Sequence, residues 1–324
     1  MKNKKQKSKD PFHENYFKKT TNSIGVGLLI GLSYLPFWFL YLLSDIFYFV
    51  IRYLVKYRQK VITENLTFAF PEKSDTEIKK ITHKFYRHFC DLFVENIKAY
   101  SISEKEFNKR IQFNDLDVFA DYYKNGRSLI FFGMHYNNWE WSSFTANKQL
   151  HDVKFVYNPI RGNQAFERFI THIRSRWGAQ TIPVNRSSRV VLNFGKAKPE
   201  AIWLGADQSA LPTSKFWTIF LNREAPFFSG PEKIANISNQ PVFLHVTRKV
   251  KRGKYVVDFI PLFDQPKEVE PNEILLTYIR KMEEIIREAP EYYLWSHRRW
   301  KHTRPEGIPL TYSNSGITPD PIQP

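Results

Sequence analysis

The chain has 324 residues and sets 48 Lys and Arg against 32 Asp and Glu, a formal charge of +16 with a pI near 9.6. An apolar fraction of 42% with 28 Phe, 17 Tyr and 8 Trp excludes a disordered chain, and a mean hydropathy of −0.45 excludes a polytopic membrane protein. Cys90 is the sole cysteine, so neither an intramolecular disulfide nor a Cys-based zinc site is available.

The first twenty residues hold seven lysines against Asp10 and Glu14, and residues 1–22 read as a basic tail. From Ser23 to Ser44 run 22 residues without a charge, and Asp45 is the only charge before Arg52. As a helix the run reaches roughly 33 Å, enough for the hydrocarbon core of a bilayer. With Lys18 and Lys19 before it and Arg52, Lys56, Arg58 and Lys60 after it, the segment 23–57 is expected to anchor the chain to a membrane. Pro36 interrupts the run, so a span competes with a re-entrant or interfacial element broken there.

Ser74-Asp75-Thr76-Glu77 has the form of a capping box, and Ile78, Ile81, Phe85, Phe89, Leu92 and Phe93 follow at helical spacing, predicting one long amphipathic helix to about Tyr100. His83 and His88 on it are about 140° apart, poorly placed to share a metal, and read as surface residues. Strand-like runs at 128–133, 154–157, 201–205, 242–246 and 255–260 alternate with helical patterns near 163–176, 232–238 and 274–288. This alternation predicts an α/β domain over residues 58–304, with a mixed, largely parallel sheet flanked by helices. Residues 305–324, with five prolines, read as a loose tail.

The chemistry concentrates at Ser128-Leu-Ile-Phe-Phe-Gly133-Met-His135-Tyr-Asn-Asn-Trp-Glu140. An apolar strand ends at Gly133, and His135 follows where α/β sheets present ligand-facing residues. A contact between His135 and Glu140 requires the histidine in the strand-to-helix turn and the carboxylate in the first turns of the helix. In that arrangement Glu140 fixes the ring and the other imidazole nitrogen accepts a proton, the logic of an oriented general base. The string holds no Ser or Cys nucleophile, so a substrate must bring its own hydroxyl. Taken alone, the spacing rather fits a structural histidine capping the turn, with Glu140 a solvated residue near a helix N-terminus.

This string, the amino-terminal apolar segment, and the blocks Tyr157-Asn-Pro-Ile-Arg161, Asp207-Gln208, Phe227-Phe228-Ser229-Gly230 and Pro290-Glu-Tyr-Tyr-Leu-Trp295-Ser-His297-Arg298-Arg299-Trp300-Lys301 together resemble the bacterial lipid A biosynthesis (late) acyltransferases, from about residue 20 to 305. The H-x4-[DE] motif is shared with the wider lysophospholipid acyltransferase superfamily, whereas the closing string is more particular to the lipid A branch. The resemblance implies a glycerolipid acyltransferase-like fold without a cofactor or metal. His135 would deprotonate an acceptor hydroxyl for attack on an acyl thioester, and Glu140 would orient it. Arg161 would grip a phosphate of the acceptor, a geometry that suits a guanidinium fork. Asp207 and Gln208 match the family's D-Q pair, as site wall or substrate contact. Arg298 and Arg299, with Lys301 and Arg304, would form a basic patch toward an anionic membrane or donor, or a solvated carboxy-terminal face. The implied partners are an acyl carrier protein or acyl-CoA donor, a lipid A precursor as acceptor and an anionic membrane. The implied place is the cytoplasmic face of an inner membrane with a single amino-terminal anchor.

Other functions compete with this one. The same dyad would serve an acyltransferase acting on another glycolipid, phospholipid or aminolipid, and a basic membrane scaffold without catalysis would share the composition. Nucleic-acid binding would use the same Lys, Arg and aromatic residues, but no helix-turn-helix, zinc or RNP-type signature accompanies them.

Overall fold

A computed structural model describes residues 14–187, 190, 193–194 and 197–312. Most of the expected basic tail, residues 1–13, and residues 313–324 of the expected carboxy-terminal tail lie outside the described residues. The uncharged run forms two helices, α1 (Tyr16–Ser33) and α2 (Phe37–Phe49), the latter continued by a π-helical turn, Val50–Leu54. Pro36 separates them at the N-cap of α2, because its ring removes an N–H donor and clashes with a continuing helix. Lys18 and Lys19 belong to the first turns of α1 rather than to a tail. Phe37–Leu54 is long and apolar enough to cross a membrane, with a mean hydropathy of 1.4.

Next come α3 (Gln59–Ala69) and the long α4 (Asp75–Lys98), whose capping box forms as expected between Ser74 and Glu77. His88 is not a surface residue: α4 buries it to 3% exposure against the Tyr292 ring and Lys249, while His83 stays exposed. Two short helices follow, α5 (Glu104–Asn108) and, after β1 (Ile111–Phe113), α6 (Asp117–Lys124). Then β2 (Leu129–Gly133) leads into a 3-10 helix (Trp139–Asn147), and β3 (Asp152–Tyr157) into α7 (Gln164–Ser175). The remaining elements are β4 (Gln180–Pro183), β5 (Glu200–Gly205), the hairpin β6 (Trp217–Phe220) and β7 (Arg223–Pro226), α8 (Gly230–Ser238), β8 (Val242–Lys251), β9 (Lys254–Phe263) and α9 (Glu273–Glu288).

The seven-stranded sheet has the order β1-β9-β8-β2-β5-β3-β4, with β8 and β9 antiparallel and every other pair parallel. The mixed, largely parallel α/β fold is therefore the one expected. Alternation along the central strands feeds two cores. Ile130, Phe132, Ile202, Leu204, Val242 and Leu244 pack under α3, α4, α8 and α9. Leu129, Phe131, Ala201, Trp203 and Phe243 pack with Phe107, Phe119, Trp141, Phe144 and Phe169 on the other face. Strands covered on both faces explain the nearly continuous apolar runs.

The apolar helices lie along this body. Phe37, Leu40 and Ser44 of α2 are buried, Ser44 Oγ donates to Asp91 at 2.8 Å, and Arg252 bridges Asp45 at 2.8 Å and Asp91 at 2.7 Å. Lys98 donates to the carbonyls of Ser33 and Leu35, both at 2.9 Å, satisfying acceptors freed where α1 ends. The outward face of α2 exposes Trp38, Leu42, Ile46 and Phe49.

Parallel pairing sets Gly133 of β2 opposite Gly205 of β5 at the carboxyl ends of both strands. A methyl group built on Gly133 would lie 1.9 Å from the Trp203 ring. Gly133→Ala should therefore destabilise the fold by about 1–3 kcal/mol, as overpacking does. Gly230→Ala, at a position with nothing within 4 Å of a built methyl, is the comparison. Chemical denaturation measures both, and equal stability of the two variants would contradict this packing.

Candidate active site

Beyond the paired glycines the two chains leave the sheet side by side. His135 lies two residues past Gly133, and Asp207 two residues past Gly205, so the register alone brings them together. Asp207 Oδ2 accepts from the His135 backbone N–H at 2.8 Å, and Oδ1 is 2.7 Å from His135 Nδ1. The side-chain amide of Gln208 lies 2.9 Å from Nε2 on the opposite edge of the ring. A carboxylate accepts only, so Nδ1 donates to Asp207. Nε2 is then left as the acceptor, and the Gln208 amide donates to it.

The carboxylate hydrogen-bonded to the His135 ring is thus Asp207, and the contact between His135 and Glu140 expected from the motif spacing is not formed. Glu140 does sit in the first turn of the 3-10 helix, and His135 in the turn before it. Its carboxylate faces Arg174 of α7 instead, in a two-point pair of 2.8 Å to Nε and 2.5 Å to an Nη. Arg174 had no signal in the sequence beyond a basic residue in a predicted amphipathic helix. Only the packing of α7 on the 3-10 helix singles it out.

Burial by itself would push the His135 imidazole down, but the Asp207 charge and hydrogen bond outweigh it and carry the net shift above 6.5. Burial opposes ionisation of Asp207 too, yet the His135 contacts hold it below the usual carboxylate range. Arg174 does the same for Glu140 against its burial. Both carboxylates are therefore charged at neutral pH, each beside its own cation or polarisable ring.

Beneath Asp207 lies Arg299, 1% exposed. Its guanidinium stacks 4.0 Å from the centre of the Phe227 ring, and its nitrogens have no hydrogen-bond partner among the described residues. Burial lowers it to about 10, so it stays charged and favours the ionised Asp207. The expected basic patch is accordingly divided: Arg299 is internal, Arg304 pairs with Glu224 at 2.9 Å, and Arg298 and Lys301 are exposed. Arg161 is exposed in the turn before α7, outside the residues lining the cavity.

The closing string straps the site turn from below. Leu294 N donates to His135 O at 3.1 Å, Asn137 N to Tyr292 O at 2.9 Å, and Asn65 of α3 holds the carbonyls of Trp295 and His297. Tyr278 of α9 donates to Gly133 O at 2.7 Å. His135 is therefore fixed through its backbone on both sides and through its ring.

His135, Glu140, Arg174 and Gln208 open onto a cavity of about 520 Å³ whose remaining walls include Phe155, Val156, Trp203, Leu204, Val184, Phe228 and Ile234. One end carries the His135 ring and paired charges, and the rest is aliphatic and aromatic. Such a cavity fits an apolar chain with a reactive group at its polar end.

A family model described as bacterial lipid A biosynthesis acyltransferase matches residues 6–302. The lipid A biosynthesis lauroyltransferase of Escherichia coli (strain K12) is 26% identical over 293 residues, covering 89% of this chain and 94% of that protein. The lipid A biosynthesis palmitoleoyltransferase of the same organism and the lipid A biosynthesis acyltransferase of Shigella flexneri are each 25% identical over 290 residues, covering 89% of this chain and 93% of theirs. An acyltransferase on this evidence, the chain belongs to the bacterial lipid A biosynthesis acyltransferase family.

Proposed function

We propose that the chain transfers a fatty acyl group from an acyl thioester, on acyl carrier protein or coenzyme A, to a hydroxyl of a lipid A precursor, with His135 as general base oriented by Asp207. The observation that supports this most is the His135 ring, held at Nδ1 by Asp207 and bare of any acid at Nε2. An acceptor hydroxyl displaces the Gln208 amide from Nε2, gives its proton to that nitrogen and attacks the thioester carbonyl. The tetrahedral intermediate collapses by breaking the C–S bond, and the imidazolium returns the proton to the departing thiolate. Asp207 stabilises the imidazolium in between. The acyl chain lies among Phe155, Trp203, Val184 and Ile234. The Glu140–Arg174 pair fixes the 3-10 helix against α7 and keeps the polar end of the cavity charged but neutral overall. Arg161, exposed beside α1, and Arg298 are assigned to the phosphates of the acceptor or its membrane.

The apolar helices are read as an interfacial element on the cytoplasmic face of an inner membrane. A single helix crossing a bilayer has lipid on all sides, whereas α2 has one flank hydrogen-bonded to Asp91 and ion-paired through Asp45 to Arg252. Its apolar stripe faces outward, and Lys18, Lys19, Arg52 and Lys56 at the ends meet anionic headgroups, each basic residue contributing about 1 kcal/mol.

Three outcomes follow. Mass spectrometry of lipid A from a host lacking its late acyltransferases should gain one acyl group with the wild-type chain and none with His135→Ala, provided both reach the membrane fraction. A gain that persists without His135 would overturn the base. In the pH dependence of kcat/KM the acid limb lies above 6.5, because activity needs neutral Nε2 and Asp207 raises the imidazole. Asp207→Asn should lower kcat by about 10²- to 10⁴-fold and move that limb to lower pH. Glu140→Gln should move it less, and the reverse order would return Glu140 to the orienting role. Trp38→Ser with Leu42→Ser and Ile46→Ser should reduce flotation with anionic vesicles while leaving thermal stability unchanged; undiminished flotation would count against the interfacial stripe.

A further inference from the structure

Glu95 of α4 is fully buried and takes no part in the proposed transfer. Three elements meet on its carboxylate. Tyr41 Oη of α2 donates at 2.9 Å, Asn138 Nδ2 of the turn after His135 at 2.8 Å, and Tyr255 Oη of β9 at 2.7 Å. The indole N–H of Trp141, in the 3-10 helix that carries Glu140, reaches the Glu95 backbone carbonyl at 3.4 Å. The site turn thus has one of its two polar flanks on a residue that the apolar helix also holds.

We infer that Glu95 is a positioning residue that ties the seat of α2 to the turn carrying His135, so that a displaced apolar helix loosens the base. Packing alone does not require a carboxylate here, since a residue at the contact of three helices and a strand is ordinarily apolar. A buried acid costs free energy unless its acceptors are filled, and all three donors come from different elements. Each donor keeps its partner only while its own element is seated on α4, and α2, the turn and β9 all meet on this one carboxylate. The charged and titratable groups around Glu95 are Asp91 on its own helix, Lys249 on β8, Arg252 in the turn after it, Arg110 before β1, and the two tyrosines. Lys249 and Arg252 are engaged by Asp91, at 3.6 and 2.7 Å, so neither neutralises Glu95 directly. Burial lifts its carboxyl from 4.5 to about 7. The stability due to its proton is therefore present below pH 4.5 and lost as pH rises through 7.

The tie rests on the interfacial reading of α2, and its test does not need the reaction to be known. Hydrogen exchange is measured on the full chain in micelles containing an anionic phospholipid, together with transfer from a dodecanoyl thioester to a lipid A precursor. In Tyr41→Phe and in Glu95→Ala, amide exchange across residues 134–142 should rise by about three- to tenfold. The kcat for transfer should fall by a similar factor, with KM for the thioester unchanged. Glu95→Gln still accepts from Asn138 and Tyr255 while donating to Tyr41, and should restore both while flattening the loss of stability between pH 5 and 7. Ser44→Ala removes a tether of the same helix that does not touch Glu95, and should leave residues 134–142 as they are.

Equal loosening of that turn in Ser44→Ala, or unchanged exchange in Tyr41→Phe, would overturn the tie. The expected exchange pattern without transfer in any protein, wild type included, would support the tie and count against the reaction.

Discussion

Gly133 and Gly205 have to face one another at the ends of two parallel strands, and most of the site follows from that register. Any side chain at Gly133 collides with the Trp203 ring, which fills the space a Cβ would take. With the strands locked there, the next two residues of each chain run in parallel, and His135 meets Asp207 through both backbone and ring. A slip of one residue would turn each side chain to the other face of the sheet and separate His135 from Asp207. The same ring that enforces the glycine forms a wall of the cavity, so the cavity and the His135 ring are placed by one packing decision.

The charges at the site are arranged in separate pairs. His135 faces Asp207 and Arg174 faces Glu140, both pairs largely buried, and breaking either leaves an uncompensated charge worth several kcal/mol. Arg299 is the exception: it lies on aromatic faces instead of in a hydrogen-bonded pair, and acts on Asp207 across space. The excess positive charge of the chain is carried elsewhere, at exposed residues such as Arg298, Arg161 and Lys18.

Much of this was legible in the sequence, and the failures have physical causes. Every expected strand and helix of the α/β domain formed, because apolar runs bounded by capping and turn residues depend on local chemistry. His135 was found by its place after an apolar strand. Asp207 follows another apolar strand at the same two-residue distance from a glycine, a symmetry present in the sequence but meaningful only once β2 and β5 are known to be neighbours. The motif spacing puts Glu140 on the His135 ring, whereas the 3-10 helix turns its carboxylate toward Arg174. Local pattern puts His88 and Arg299 at the surface, where isolated titratable residues usually lie. Their burial depends on long-range packing against Tyr292 and Phe227 that no local pattern carries.

The central claim is that Asp207 holds His135 in the tautomer with Nδ1 protonated and Nε2 free to accept. Nitrogen NMR of the chain labelled at histidine, taken above the imidazole pKa, reads this directly. A protonated Nδ1 and an unprotonated Nε2 for His135, lost in Asp207→Asn and kept in Glu140→Gln, is the predicted result. A proton on Nε2 in the wild type, or a tautomer that changes with Glu140 and not with Asp207, would contradict it.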